Sequence, residues 1–171
     1  MDTKENTTNE DKRVNHPSYY EKKLNDSRVH PECIDILEVL TKHFPGVLAL
    51  DIGQLKYCYR FGSKAEEGLS RKEKAVEDTR KIVWYMKDFV KRRPDYQIKE
   101  CSYDTYFKTI TELVAEEFAF DKPETIKPFV RELITYAMMA KTDFYDGYVL
   151  VRTAERLVEA VESSDEEIWK N

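Results

Sequence analysis

From Ser70 to Pro94 the chain carries one uninterrupted helical pattern, and that stretch restricts its fold more than any other. Ser70-Arg71-Lys72-Glu73 has the capping-box form, in which the Ser hydroxyl and the Glu carboxylate each accept from the other residue's backbone N–H. Val76, Ile82, Val83, Met86, Phe89 and Val90 then recur at helical spacing, and the run stops at about Arg92, before Pro94. A two-residue alternation does not persist anywhere for long, so the neighbours of this segment are expected to be helices as well.

They read that way. A first helix is expected from about Pro31 to His43, with Cys33, Ile36, Leu37, Leu40 and Phe44 on one face and Pro45-Gly46 ending it. A second, from about Val47 to Phe61, places Leu48, Ile52, Leu55 and Tyr59 together and ends at Gly62, before a charged loop over 62–69. Beyond the Ser70 helix and a connector at 93–101, Tyr103 to Phe118 carries Tyr106, Phe107, Ile110, Leu113 and Val114 at helical spacing. Asp121-Lys122-Pro123-Glu124 repeats the capping logic and is expected to open a helix through Met139. Thr142 or Asp143 is expected to cap a last long helix with the stripe Tyr148, Val151, Leu157 and Val161, and the residues from Ser164 onward add a further turn. Residues 1–14 are polar enough to read as a disordered tail, and Asn15 to Tyr20 as an extended segment around Pro17. The expected fold is all-α, of about six helices: a three-helix domain over 15–92, then a helical region over 93–171 that oligomerises or covers a ligand.

Composition narrows the function classes. With 171 residues, 41% hydrophobic and 36% charged, the chain is long enough for one core and reads as soluble and globular. It has no apolar run of membrane-spanning length, its first residues do not resemble a signal peptide, and its three widely spaced cysteines suit reduced thiols, so a cytoplasmic protein is expected. The net charge of -5 is unevenly spread: -1 over 1–14, +3 over 15–92 and -7 over 93–171. A basic half on an acidic protein suits a small anionic ligand, whereas the acidic half would repel extended nucleic acid.

No phosphate-binding Gly-x-x-x-x-Gly-Lys-Ser/Thr loop, dinucleotide-binding glycine motif, zinc spacing or nucleophile elbow is present. Glu112, Glu116 and Glu117 lack the spacing of a magnesium-holding carboxylate set and read as an acidic helix face. What remains lies in the basic half. Lys56 and Arg60 share a helix face, with Lys64 just beyond Gly62; Glu77, Asp78, Lys81 and Tyr85 share another; Asn15, His16 and Tyr20 lie on the irregular segment. Arg and Lys can hold phosphate oxygens as a planar fork and a point charge, Tyr or His can stack on a base, and Asn or a carboxylate can read its polar edge. The same spacings also describe an ordinary solvated helix face. Trp84, Tyr57 and Tyr59 are expected to serve as packing rather than as base platforms, and Met138-Met139 as core.

Four motifs occur in order: Val14-Asn15-His16-Pro17-x-x-Tyr20, Glu32-Cys33-Ile34-Asp35, Lys56-Tyr57-x-x-Arg60-x-Gly62-x-Lys64 and Glu77-Asp78-x-x-Lys81-x-x-Trp84-Tyr85. Over about residues 14–92 this set resembles a small phage-encoded helical family that includes a coliphage kinase of deoxynucleoside monophosphates lacking a phosphate-binding loop. The resemblance implies a nucleotide-handling phage protein, acting in the cytoplasm of an infected bacterium as a homo-oligomer. It implies nucleotide binding by Asn15, His16, Tyr20, Lys56, Arg60, Lys64, Lys81 and Tyr85. Glu77 and Asp78 would be catalytic, orienting the acceptor or holding magnesium if the chain is a kinase. Tyr19 stands where the family commonly has His, Tyr59 where it has Trp, and Gly53 where it has Asn. Three readings stay open at this point: a nucleotide kinase-like enzyme, a non-catalytic sponge for a host immune nucleotide such as a cyclic one, and a structural helical interaction protein.

Overall fold

The computed structural model describes residues 35, 36, 38, 40, 52–63, 66–92, 104–140, 142 and 144–170. Residues 35, 36, 38 and 40 are helical, with Ile36 and Leu40 buried and Asp35 and Glu38 exposed, as the expected first amphipathic helix requires. Five longer helices follow: α1 (Ile52–Arg60), α2 (Arg71–Arg92), α3 (Thr105–Ala119), α4 (Lys127–Met139) and α5 (Gly147–Ser163). A single 3₁₀ turn, Glu166–Trp169, ends the described chain. Among the described residues there is no strand beyond one isolated antiparallel bridge between Glu66 and Leu69, and no helix is long and apolar enough to cross a membrane. The fold is all-α. The expected tail at 1–14, the extended segment at 15–20, the connector at 93–101, and the parts of the first two helices preceding Ile52, the four described residues apart, lie outside the described residues.

The capping box forms as expected. The Ser70 backbone N–H donates to Glu73 Oε2 at 2.7 Å and the Glu73 N–H donates to Ser70 Oγ at 3.1 Å. Asp104 caps α3 by accepting from the Phe107 N–H at 2.9 Å.

Two other helix starts differ from expectation. The last helix is capped by Asp146, which accepts from the N–H groups of Tyr148 and Val149. Thr142 closes a tight turn instead, donating to Met139 O at 2.9 Å and accepting from the Phe144 N–H at 3.2 Å; Asp143 lies outside the described residues. The Asp121-Lys122-Pro123-Glu124 pattern does not cap a helix. Ile126 turns back to Pro123 O at 2.8 Å, and α4 begins at Lys127 with Pro128 in its first turn.

The reason is a competing use for those side chains. Lys122 is buried, donates to Tyr59 O at 2.7 Å and sits 2.9 Å from Asp121 Oδ1, which places an ammonium at the carboxyl end of α1. Asp121 Oδ2 accepts from the Ser63 hydroxyl at 3.0 Å. Helix α4 therefore starts after a turn that is already docked onto α1.

One core runs through all five helices. Helix α2 lies along α5, α3 against α4, α4 against α5, and α1 against α2. Leu55, Tyr59, Ile82, Met86, Phe107, Phe118, Leu133, Ile134, Leu157 and Val161 are all buried in it, and each large apolar side chain so placed contributes about 1.5–3 kcal/mol. Tyr59 meets Phe118 edge-on at 5.5 Å between centroids. Some expected core positions turn outward: Tyr106, Leu113 and Tyr148 are exposed, and Leu150, Thr153 and Ala154 occupy the buried face of α5 beside Leu157. A single stripe does not distinguish the apolar residues that face the neighbouring helix from those one position round it.

Gly62 ends α1 with φ +78°. A Cβ there would lie 2.6 Å from Trp169 Cζ3, so the position needs glycine both for its backbone and for the indole lying over it. Gly68 has a similar φ of +82° but nothing within 4 Å of where a Cβ would sit. Gly68→Ala is expected to cost about 1 kcal/mol from backbone strain alone. Gly62→Ala is expected to cost clearly more, about 3 kcal/mol, because Trp169 must also move. Urea denaturation of the two variants checks the order.

Candidate functional site

Helices α1 and α2 meet through charge rather than through apolar contact alone. Arg60 ends α1, buried, with its guanidinium carbon 4.3 Å over the Tyr57 ring and Nε 3.7 Å from Asp78 Oδ2. Asp78 is fully buried on α2. Its other oxygen lies 3.6 Å from Lys74 Nζ and 3.7 Å from Lys81 Nζ. Neither Asp78 oxygen accepts a hydrogen bond among the described residues. The carboxylate is thus held by three surrounding cations and not by a directed bond.

A second carboxylate completes the group. Glu77 bonds Lys81 one turn on and, through its other oxygen, Lys74 at 3.0 Å; Lys74 also reaches Glu66 at 2.7 Å. Among the described residues, Arg60, Lys74 and Lys81 thus face Glu66, Glu77 and Asp78 in one network. The hydrogen bond from Lys81, followed by that from Lys74, holds the Glu77 carboxyl down at about 2. Burial penalises the Lys74 ammonium, but hydrogen bonds to Glu66 and Glu77 and the charge of Asp78 outweigh it and raise its pKa.

The sequence-predicted residues divide accordingly. Arg60, Glu77, Asp78 and Lys81 come together in this network. Tyr85 lies beside it, stacked on Tyr57 with ring centroids 5.7 Å apart and an interplanar angle of 24°. Lys56 is half-buried one turn before Arg60. Asn15, His16, Tyr20 and Lys64 lie outside the described residues. Sequence reasoning missed Lys74 and Glu66. Lys74 was findable, since Glu77 and Asp78 stand three and four residues on; Glu66 sits in a loop whose path no periodicity gives.

The outer face of α2 opens a cleft of about 690 Å³ lined by Lys72, Glu73, Val76, Glu77, Arg80, Lys81, Trp84 and Glu166. Trp84 is not packing material: it is 62% exposed and meets Tyr85 edge-on at 5.0 Å. Its indole projects because α2 buries Ile82 and Met86 on the opposite side. Most other cleft charges are engaged locally. Arg80 makes two hydrogen bonds to Glu162, Lys72 donates to Ser164 O, and Glu73 is spent on the cap. The cleft has an aromatic wall, and the Glu77–Lys81 pair forms part of its lining.

Glu77 and Asp78 do not suit a divalent cation, because Arg60, Lys74 and Lys81 already surround them and would repel it. Glu112 and Glu116 are exposed and pair with Lys108 and Arg131, as an acidic helix face does. Comparison with protein-family models, with curated proteins and with solved structures finds no match for this chain.

Glu77, held below its usual value of 4.5, contributes stability that is present above pH 4.5 and lost as pH falls through about 2. Glu77→Gln is expected to lower stability at neutral pH by about 1 kcal/mol, allowing for solvent screening of a partly exposed pair. Thermal melts followed by circular dichroism should show the wild-type and variant curves converging between those pH values. Asp78→Asn leaves three cations around a neutral group and is expected to cost about 3 kcal/mol at neutral pH, read by urea denaturation.

Proposed function

We propose that this chain is a phage nucleotide-binding protein that holds a phosphorylated small molecule without transforming it. The observation that carries the reading is the exposed Trp84 indole walling a cleft that also contains Lys72, Arg80 and Lys81. An accessible indole offers a face on which a base stacks, and the cations lining the same cleft offer partners for phosphate oxygens in exchange for their present ones. The resemblance of residues 14–92 to a nucleotide-handling phage family supports the same ligand class. The cleft volume suits a molecule of nucleotide size, and its mixed charges do not suit a long polyanion.

Sequestration is favoured over phosphoryl transfer by the state of the two carboxylates. Asp78 is fully buried, and Glu77 is bonded to Lys74 and Lys81, so neither is placed to orient an acceptor hydroxyl or hold magnesium. A sponge that withdraws a host immune nucleotide, a cyclic one included, needs only the cleft. In this reading the protein acts in the cytoplasm of an infected bacterium. Homo-oligomerisation and a ligand-covering role for residues 93–171 belong to the same proposal.

Calorimetry with nucleoside mono- and diphosphates and cyclic nucleotides is expected to show binding by at least one of them. Trp84→Ala is expected to weaken it about tenfold or more, as loss of a stacking platform does, while leaving the fold intact. Incubation with ATP and nucleoside monophosphates is expected to give no new phosphate ester on chromatography.

A further inference from the structure

Glu77 is bonded to the Lys81 ammonium that an anion in the cleft would use. Both side chains line it, the two are bonded to each other across one helical turn, and each is only partly buried. Lys81 therefore presents a positive charge that is already cancelled. A phosphate brought to Lys81 in this arrangement would also meet the Glu77 carboxylate, and two anions on one ammonium repel.

Glu77 has a second cation. Lys74 Nζ lies 3.0 Å from its other oxygen and is itself buried and not part of the cleft lining. If Lys81 turns away, Glu77 shares Lys74 with Glu66 and Asp78; Glu66 and Glu77 are partly exposed and water screens them, while Asp78, the buried carboxylate, keeps Arg60 as well as Lys74. Lys81, on a flexible four-carbon stem, is the mobile member.

We propose that Glu77 gates the anion site: it occupies the Lys81 ammonium in the ligand-free protein, and a phosphate enters by taking its place there while Glu77 stays on Lys74. The inference deepens the phosphate-binding reading and rests on it. The gate sets a threshold for entry, because only an anion that outcompetes a carboxylate for an ammonium displaces Glu77. A phosphate dianion does this and a monovalent anion does not. The side chain that the motif suggests as catalytic is thereby a competitor for the site.

The test is calorimetric titration of the full chain with adenosine monophosphate and with inorganic phosphate at fixed salt. Wild type, Glu77→Gln, Glu73→Gln, Lys81→Met and the Glu77→Gln, Lys81→Met double variant are compared, each checked for helicity by circular dichroism. Glu77→Gln is expected to bind both probes about tenfold more tightly than wild type, the order expected when one charge is removed beside a partly exposed site. Glu73→Gln, which removes a cleft carboxylate not bonded to Lys81, is expected to change affinity by less than about twofold. Glu77→Gln made in the Lys81→Met background is expected to bring no gain over Lys81→Met alone, and a tenfold gain there overturns the gate. Weaker or equal binding by Glu77→Gln, with wild type binding, overturns the gate, and so does equal tightening in Glu73→Gln, which would reduce the effect to overall charge. Absence of binding by wild type and Glu77→Gln alike to either probe overturns the phosphate reading itself, and the gate with it.

Discussion

A fully buried carboxylate is costly unless cations surround it, and Asp78, which accepts no hydrogen bond among the described residues, makes that condition the organising constraint of the joint between α1 and α2. It fixes where Arg60 must end α1, which faces Lys74 and Lys81 must occupy on α2, and therefore how the two helices cross. Tyr57 is drawn into the same arrangement, with Arg60 over its ring, Tyr85 stacked on it and Lys81 Nζ 5.6 Å from its centroid. The cleft inherits its geometry from this joint, because Lys81 and Trp84 extend from the helix that Asp78 anchors.

The basic half does not stand by itself. Helix α2 is laced to α5 by Arg80 on Glu162, Lys87 on Glu155 and Lys72 on the Ser164 carbonyl. Exposed pairs of this kind contribute little each, but they follow the apolar seam of Ile82, Met86 and Phe89 against Leu150, Leu157 and Val161. On the other side, Lys122 and Asp121 tie the α3–α4 turn to the end of α1. Elements distant in sequence thus hold the carboxyl end of the short helix that supplies Arg60.

Much of this was legible in the sequence, for physical reasons. Periodicity gave the helical class, and the Ser70–Glu73 box and Gly62 gave two boundaries, because each depends on backbone groups satisfied within a few residues. The i, i+3 and i, i+4 spacings brought Glu77, Asp78 and Lys81 together on one helix, and the motif order pointed to Arg60 beside them. What failed depended on partners far along the chain. Asp121-Lys122 carries the local signature of a cap, yet its side chains serve a helix end some sixty residues away, a contact that no local rule registers. Trp84 was misread because an indole is usually buried for its area, and which face of an amphipathic helix it joins depends on the helix packed opposite. The mutual neutralisation of the charges was also invisible: spacing reveals that cations and carboxylates are near, not which of them cancel.

The indole of Trp169 lies over Gly62, held by its N–H to the Ser164 hydroxyl at 2.8 Å and by Phe61 beneath. These partners are made at very different times on the ribosome. While the nascent chain is still threading out, the turn after α1 has already emerged and stays uncovered until the Ser164–Trp169 stretch follows it. A polypeptide cut short before Ser164 would therefore lack the indole that covers Gly62 and packs on Phe61, leaving that aromatic ring more open to chaperones and proteases.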